Sequence, residues 1–210
     1  MSLEARLHRL SWWARLQRWA GRPPVSIRLG DSRQRYGLPH YQSHHALVDA
    51  LALAAKARAA GADTLVVVGC DSMLLVDGQL EGKPHTYERA MERWQRMRGR
   101  HGVLLTGHAL LVADLTRDDP VVVTYSGSDT SDTTVHFGAP SDADLDVYLR
   151  TGEPLECAGA FTIESLGGWF IDRIEGDPSS VIGLSLPLLR RLLEDAGIHA
   201  HRVWRPGLRA

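Results

Sequence analysis

The 210 residues carry 24 Lys and Arg against 25 Asp and Glu, a formal net charge of -1, which gives no general reason to expect nucleic-acid or membrane binding. No apolar stretch approaches the roughly 18 residues of a membrane helix, and no signal peptide is visible. Cys70 and Cys157 lie far apart in no metal-ligand spacing, so a disulfide framework is not expected and a reducing cytoplasm is.

Residues 1–40 are dense in Arg and Trp and almost free of acids. Leu7, Leu10, Trp13 and Leu16 could line one face of a basic amphipathic helix, which caps a core, meets a partner, or lies on a membrane or nucleic acid. From residue 45 the texture is that of an α/β protein. HALVDALALAAKARAAG predicts a helix with Leu47, Leu51 and Ala54 or Ala55 on one face and Gly61 as its stop. TLVVVGC predicts a buried strand ending at Asp71. LLVDGQL predicts a hairpin, because Asp77-Gly78 suits the positive φ angles of a type I′ turn. TYERAMERWQRMRG predicts a helix with Tyr87, Met91 and Trp94 inward, ending at Gly99. GVLLTGHALLVA, PVVVTYS and TTVHFG predict strands, with SGSDTSD as a polar connector between the last two. SDADLDVYLRTG predicts a helix with Ser141 as N-cap, Asp144 at N3 and Gly152 as its end. GGWFIDRIEG predicts another strand, and GDPSSVIGLSLPLLRRLLEDAG a turn and a final amphipathic helix ending at Gly197. Strands interleaved with helices argue for an α/β domain with a mixed sheet.

There is no P-loop, GxSxG elbow, HExxH or CxxC. The ten histidines are scattered. What remains is a set of polar residues near the ends of apolar segments: Lys56, Asp71, Lys83, Thr106, His108, Glu164 and Ser165. Each also has an ordinary structural explanation. Asp71 could form an Asx turn, Lys56 could be solvated on its helix, Lys83-Pro84 could be a loop, and Thr106 and His108 could be the polar face of a strand.

In order, GCDSM at 69–73, Asp77-Gly78, Lys83-Pro84, LTGHAL, TTVHF, TGEPL, AGAF, LGG and EGDPSSVIGLSLPLL resemble the Maf family of nucleotide pyrophosphatases. The resemblance covers roughly residues 45–197 and is most specific from Tyr148 to Leu189. It implies a two-lobed α/β molecule with a cleft, similar to inosine-triphosphate pyrophosphatases. It also implies hydrolysis of a nucleoside triphosphate to monophosphate and pyrophosphate, a divalent cation (Mg²⁺, with Mn²⁺ the alternative), a cytoplasmic setting and a homodimer. Asp71 matches the family's proton acceptor and metal neighbour, beside a water whose pKa the metal lowers. Lys83 matches the family's Lys-Pro and Lys56 its helix lysine, both clamping phosphate oxygens. Ser72, Thr106 and Glu164 are the expected substrate contacts. Glu164 stands where a glutamine commonly helps choose the base, and Ser72 where threonine is common; a carboxylate only accepts hydrogen bonds, so the uracil and thymine preference of many members is not expected to carry over.

The family's Ser-x-Ser-Pro-x-Arg loop has no counterpart in residues 1–40. The expected organisation is an atypical segment at 1–44, a Maf-like domain at 45–200 and a tail at 201–210. Arg, Trp and Pro pile up in residues 1–40 as in a GC-rich gene read out of frame. Read two nucleotides later, synonymous codons for Glu4 to Arg9 can encode Gly-Ser-Ala-Ser-Pro. Residues 1–40 are therefore expected to place no strand beside TLVVVGC and to leave the chain weakly active or inactive. The competing readings are an impaired Maf-fold protein that binds nucleotide or a protein partner, and a nucleotidyl- or sugar-phosphate-binding module without hydrolysis.

Overall fold

The structure is a computed structural model and describes residues 26–28, 54–116 and 121–204. Its centre is a six-stranded mixed sheet. Strand β1 (Ser26–Arg28) pairs in parallel with β2 (Thr64–Val76). β3 (Gln79–Glu81) returns antiparallel on β2 through the Asp77-Gly78 turn, where φ is 49° at Asp77 and 77° at Gly78, as the type I′ expectation requires. β4 (His101–Asp114) pairs antiparallel with β2, β5 (Val122–Phe137) with β4, and β6 (Ile171–Glu175) with the end of β5.

Helices flank the sheet. α1 (Tyr87–Met97) is capped by Thr86 and buries Ala90, Trp94 and Met97. Tyr87 and Met91 pack partly buried against the same core. α2 (Asp142–Arg150) is capped by Ser141, whose Oγ accepts the Asp144 N–H at 3.1 Å and donates to the Asp144 carboxylate at 2.7 Å. GDPSSVIGLSLPLLRRLLEDAG, expected as a turn and a final helix, forms two helices: α3 (Pro178–Ile182), capped by Asp177, and α4 (Leu186–Asp195), capped by Ser185, with Gly183 between them at φ 122°. Residues 54–59 are helical, with Ala54 and Ala57 buried and Ala55 exposed; Leu47 and Leu51 lie outside the described residues.

Four expectations need correction. β2 does not end at Asp71, because β4 supplies ladder partners without a break from Thr64↔Asp114 to Leu75↔Val103 and carries the backbone past the carboxylate. SGSDTSD is no connector: residues 126–132 lie inside the 16-residue β5, held by the same kind of continuous ladder to β4 while most of their side chains stay half-buried or exposed. GGWF forms a 3₁₀ turn (Leu166–Phe170), so the strand begins only at Ile171. A strand does enter the sheet beside TLVVVGC: Ser26, Ile27 and Arg28 pair with Val67, Val68 and Gly69. The helix expected over Leu7, Leu10, Trp13 and Leu16 falls outside the described residues.

Alternation along β2 and β4 sorts side chains onto two faces. On one face, Val66, Val68, Cys70, Leu110 and Val112 pack under α4 through Leu188, Leu189, Leu192 and Leu193. Further along the same face, Leu74, Val76 and Leu104 meet Trp94 of α1, with Phe137, Tyr148 and Phe161 around it. Trp94 stacks edge-on against Phe137 at 5.6 Å and Phe170 at 5.9 Å, and its indole N–H reaches the Ala160 carbonyl at 2.7 Å. On the opposite face, Leu65, Val67 and Ala113 pack against Ala54, Ala57 and Ala62.

Candidate functional site

β4 occupies one edge of β2 along nearly its whole length, so β1 and β3 must share the other. β1 takes Val67 to Gly69, and β3 takes Leu74 to Val76. Between these two pairings a gap in the register runs from Cys70 to Met73. Asp71 sits in this gap, half-buried, its Oδ1 accepting the Ser72 N–H at 2.9 Å. β1 runs parallel to β2, so its C-terminal end points toward Asp71. A crevice beyond the carboxyl end of a parallel strand is where α/β sheets bind ligands.

The hairpin brings Lys83 back to this gap. The last β2–β3 pair is Leu74↔Glu81. One residue on, a Cβ at Gly82 would lie 3.3 Å from the Met73 sulfur. Lys83 follows, exposed, with Pro84 buried behind it. The hairpin is tied to α1 by a row of arginines. Arg93 Nε meets Glu81 at 2.8 Å, Arg96 meets the other Glu81 oxygen at 2.5 Å, and Arg100 meets Asp77 at 2.7 Å. Arg93 Nη1 also donates to the Gly82 carbonyl. The sequence reading missed these ties, although Arg93 and Arg96 stand three apart on α1 and Arg100 follows its end, opposite a hairpin with acids at 77 and 81.

Glu164 lies in the loop that follows Phe161. Burial pushes the Cys157 thiol up to about 11; Glu164 adds to the rise, and the Lys83 ammonium opposes it. Glu164 is exposed, and its carboxylate accepts the Ile163 N–H at 3.1 Å. Its loop is organised by Glu153, another residue the sequence reading passed over. Glu153 accepts the Ser165 hydroxyl at 2.8 Å, the Gly167 N–H at 3.1 Å, the Leu166 N–H at 3.3 Å and the Thr162 hydroxyl at 2.5 Å. Burial alone would raise the Glu153 pKa, but these four donors outweigh it and hold the carboxyl below its ordinary value.

Ser72 and Thr106 are brought together, but away from Asp71. They are cross-strand partners on the face covered by α4 and α1, whereas Asp71 points to the other. The fully buried Thr106 hydroxyl donates to the Ser180 carbonyl at 3.1 Å, so at the 2.9 Å contact it accepts from Ser72. Thr106 therefore holds α3 to the sheet. Buried His108 does the same for α4. Its Nδ1 donates to the Thr106 carbonyl at 2.9 Å, and its Nε2 accepts the Ser185 N–H at 2.8 Å, which fixes a neutral tautomer. Burial lowers its pKa.

Lys56 is exposed on the helical segment that packs against Asp71's face of the sheet, with no hydrogen bond or ion pair to Asp71 or Lys83 among the described residues. No group of three or more His, Cys, Asp or Glu that could hold a metal occurs among the described residues. A single half-exposed carboxylate fits Mg²⁺ carried in with phosphates, since that ion keeps waters and takes one or two carboxylates. No helix among the described residues is long and apolar enough to cross a membrane.

This geometry meets the comparisons with known proteins at one family. The description "Maf-like protein" matches residues 21–196, which takes the likeness upstream of residue 45 and across β1. A nucleoside triphosphate pyrophosphatase of Rhodococcus opacus is 58% identical over 144 residues, 69% of this chain and 65% of that protein. One of Nocardia farcinica is 57% identical over 157 residues, 72% of each chain. One of Corynebacterium aurimucosum is 58% identical over 160 residues, 75% of each. The chain thus spans about two thirds to three quarters of the length of these relatives, and with its family match running through the gap, the Lys83 hairpin and the Glu153 loop, it belongs to the Maf-like protein family.

Proposed function

We propose that this chain is a nucleoside triphosphate pyrophosphatase. The observation that carries the reading is Asp71 in the gap between β1 and β3, with Lys83 returned to that gap by the hairpin. It is supported by family membership and by relatives that bear that name. Asp71 accepts a proton as the oxygen of a water bonds to the α-phosphorus; the bond from that phosphorus to the bridging oxygen breaks, and pyrophosphate leaves with the electron pair. Lys83 and Lys56 meet the phosphate oxygens as charge develops on them. Asp71 would hold Mg²⁺ brought in with the phosphates, and the ion would supply charge neutralisation and a lower water pKa. Glu164 faces the base. Ser72 and Thr106 act one step back, by fixing the strand that carries Asp71.

The same reading takes the molecule as two-lobed with a cleft, similar to inosine-triphosphate pyrophosphatases, homodimeric and cytoplasmic. Pyrophosphate release from a panel of nucleoside triphosphates, with Mg²⁺ and with EDTA, tests it. Metal-dependent release of pyrophosphate and monophosphate is expected. Stepwise release of inorganic phosphate, or none at all, would overturn it.

A further inference from the structure

We propose that Arg93 is a positioning residue for Lys83, setting where that ammonium stands through the Gly82 carbonyl and the Glu81 carboxylate. The inference rests on the pyrophosphatase reading and adds to it a residue that would touch no substrate. An exposed lysine on a surface loop is ordinarily free to wander, because a long side chain on a mobile backbone has many states of similar energy. Lys83 instead follows a backbone that is pinned before it and after it.

Before it, the Gly82 carbonyl accepts from Arg93 Nη1 and from the Gly159 N–H at 3.2 Å. Glu81 is engaged at both oxygens, by Arg93 Nε at 2.8 Å and by Arg96 at 2.5 Å. After it, Pro84 is buried and the His85 N–H donates to the Leu155 carbonyl at 2.9 Å. Arg93 and Glu81 are only 11% and 14% exposed, so the pair is little screened and its partners have no water to fall back on.

The arginine is suited to this in a way lysine is not. Its planar fork presents Nε to Glu81 and Nη1 to Gly82 at once, and a single ammonium cannot meet both in that geometry. Because Gly82 is also bonded by Gly159, in the turn that follows Cys157, the clamp fixes Lys83 relative to the segment leading to Glu164. A misplacement of about 1 Å caused by a residue remote from the chemistry can cost on the order of a hundredfold in rate.

The test is a double-mutant cycle on the full chain. The kcat and KM for pyrophosphate release from the best triphosphate are measured with Mg²⁺ for wild type, Arg93→Lys, Lys83→Ala and the double variant, with melting temperatures alongside. Arg93→Lys should lower kcat about tenfold when Lys83 is present and less than about twofold when it is absent. Where Lys83→Ala turns over too slowly, binding of a non-hydrolysable α,β-methylene triphosphate replaces kcat, with loss expected only in the Lys83 background. Should Arg93→Lys fail to fold, Glu81→Gln takes its place in the cycle under the same criteria. An equal loss in both backgrounds, or no loss in either, overturns the proposal. If the wild type releases pyrophosphate from no triphosphate, the underlying reading fails and this inference goes with it.

Discussion

Asp71 and Ser72 are neighbours in sequence, yet their side chains leave β2 on opposite faces of the sheet. Ser72 turns to the Thr106 hydroxyl at 2.9 Å, under α3, while Asp71 turns to the face on which Ala54 and Ala57 pack. The two should therefore fail differently when changed. Asp71→Asn keeps the shape and loses the charge, so metal-dependent turnover should fall by about a hundredfold or more with little change in melting temperature. Pyrophosphate release and a thermal melt on one sample check both halves.

Thr106→Val should do the reverse. The valine fills the same space but removes one of the two donors to the Ser180 carbonyl, which keeps the Gly183 N–H at 3.0 Å, and takes away the partner of the Ser72 hydroxyl, a loss of roughly 1 kcal/mol. Chemical denaturation should show the drop in stability, and KM for the triphosphate should hold. A raised KM at unchanged stability would restore Thr106 as a substrate contact.

Lys83→Ala should slow turnover more than it destabilises the fold, because an exposed lysine contributes little to folding. Lys56→Ala should behave in the same way. A variant that melts early and keeps its specific activity would return either lysine to the status of a surface residue.

Glu164→Gln should move preference toward uridine and thymidine triphosphates, since an amide both donates and accepts where the carboxylate only accepts. Ranking wild type and variant on the same triphosphate panel is the measurement. Identical rankings would remove Glu164 from base choice.

His108 makes stability depend on pH. Its folded pKa lies below the ordinary 6.5 because burial disfavours the cation. The unfolded chain therefore binds more protons below about pH 6.5, so the contribution of His108 is full above that pH and is lost as pH falls toward the folded value. Protonated Nε2 could no longer accept the Ser185 N–H. Denaturation midpoints at pH 7.5 and 5 should differ less for His108→Gln than for wild type.

Local chemistry determined the pieces that depend on neighbours in the chain. Asp77-Gly78 sets the hairpin because positive φ is cheap there, Thr86 and Ser141 start their helices because their hydroxyls take up otherwise unpaired N–H groups, and Trp94 faces inward by helical period. The order of motifs from Gly69 to Leu189 was enough to identify the family. Tertiary structure decided what depends on partners distant in sequence. SGSDTSD reads as a connector until β4 supplies its ladder, since strand pairing lies with the partner and not with the polar side chains. The pairing of Ser72 with Thr106 comes from the register between β2 and β4. The grip of Arg93 on Gly82, and of Glu153 on the loop that carries Glu164, come from segments folded together across the chain, which no local pattern encodes.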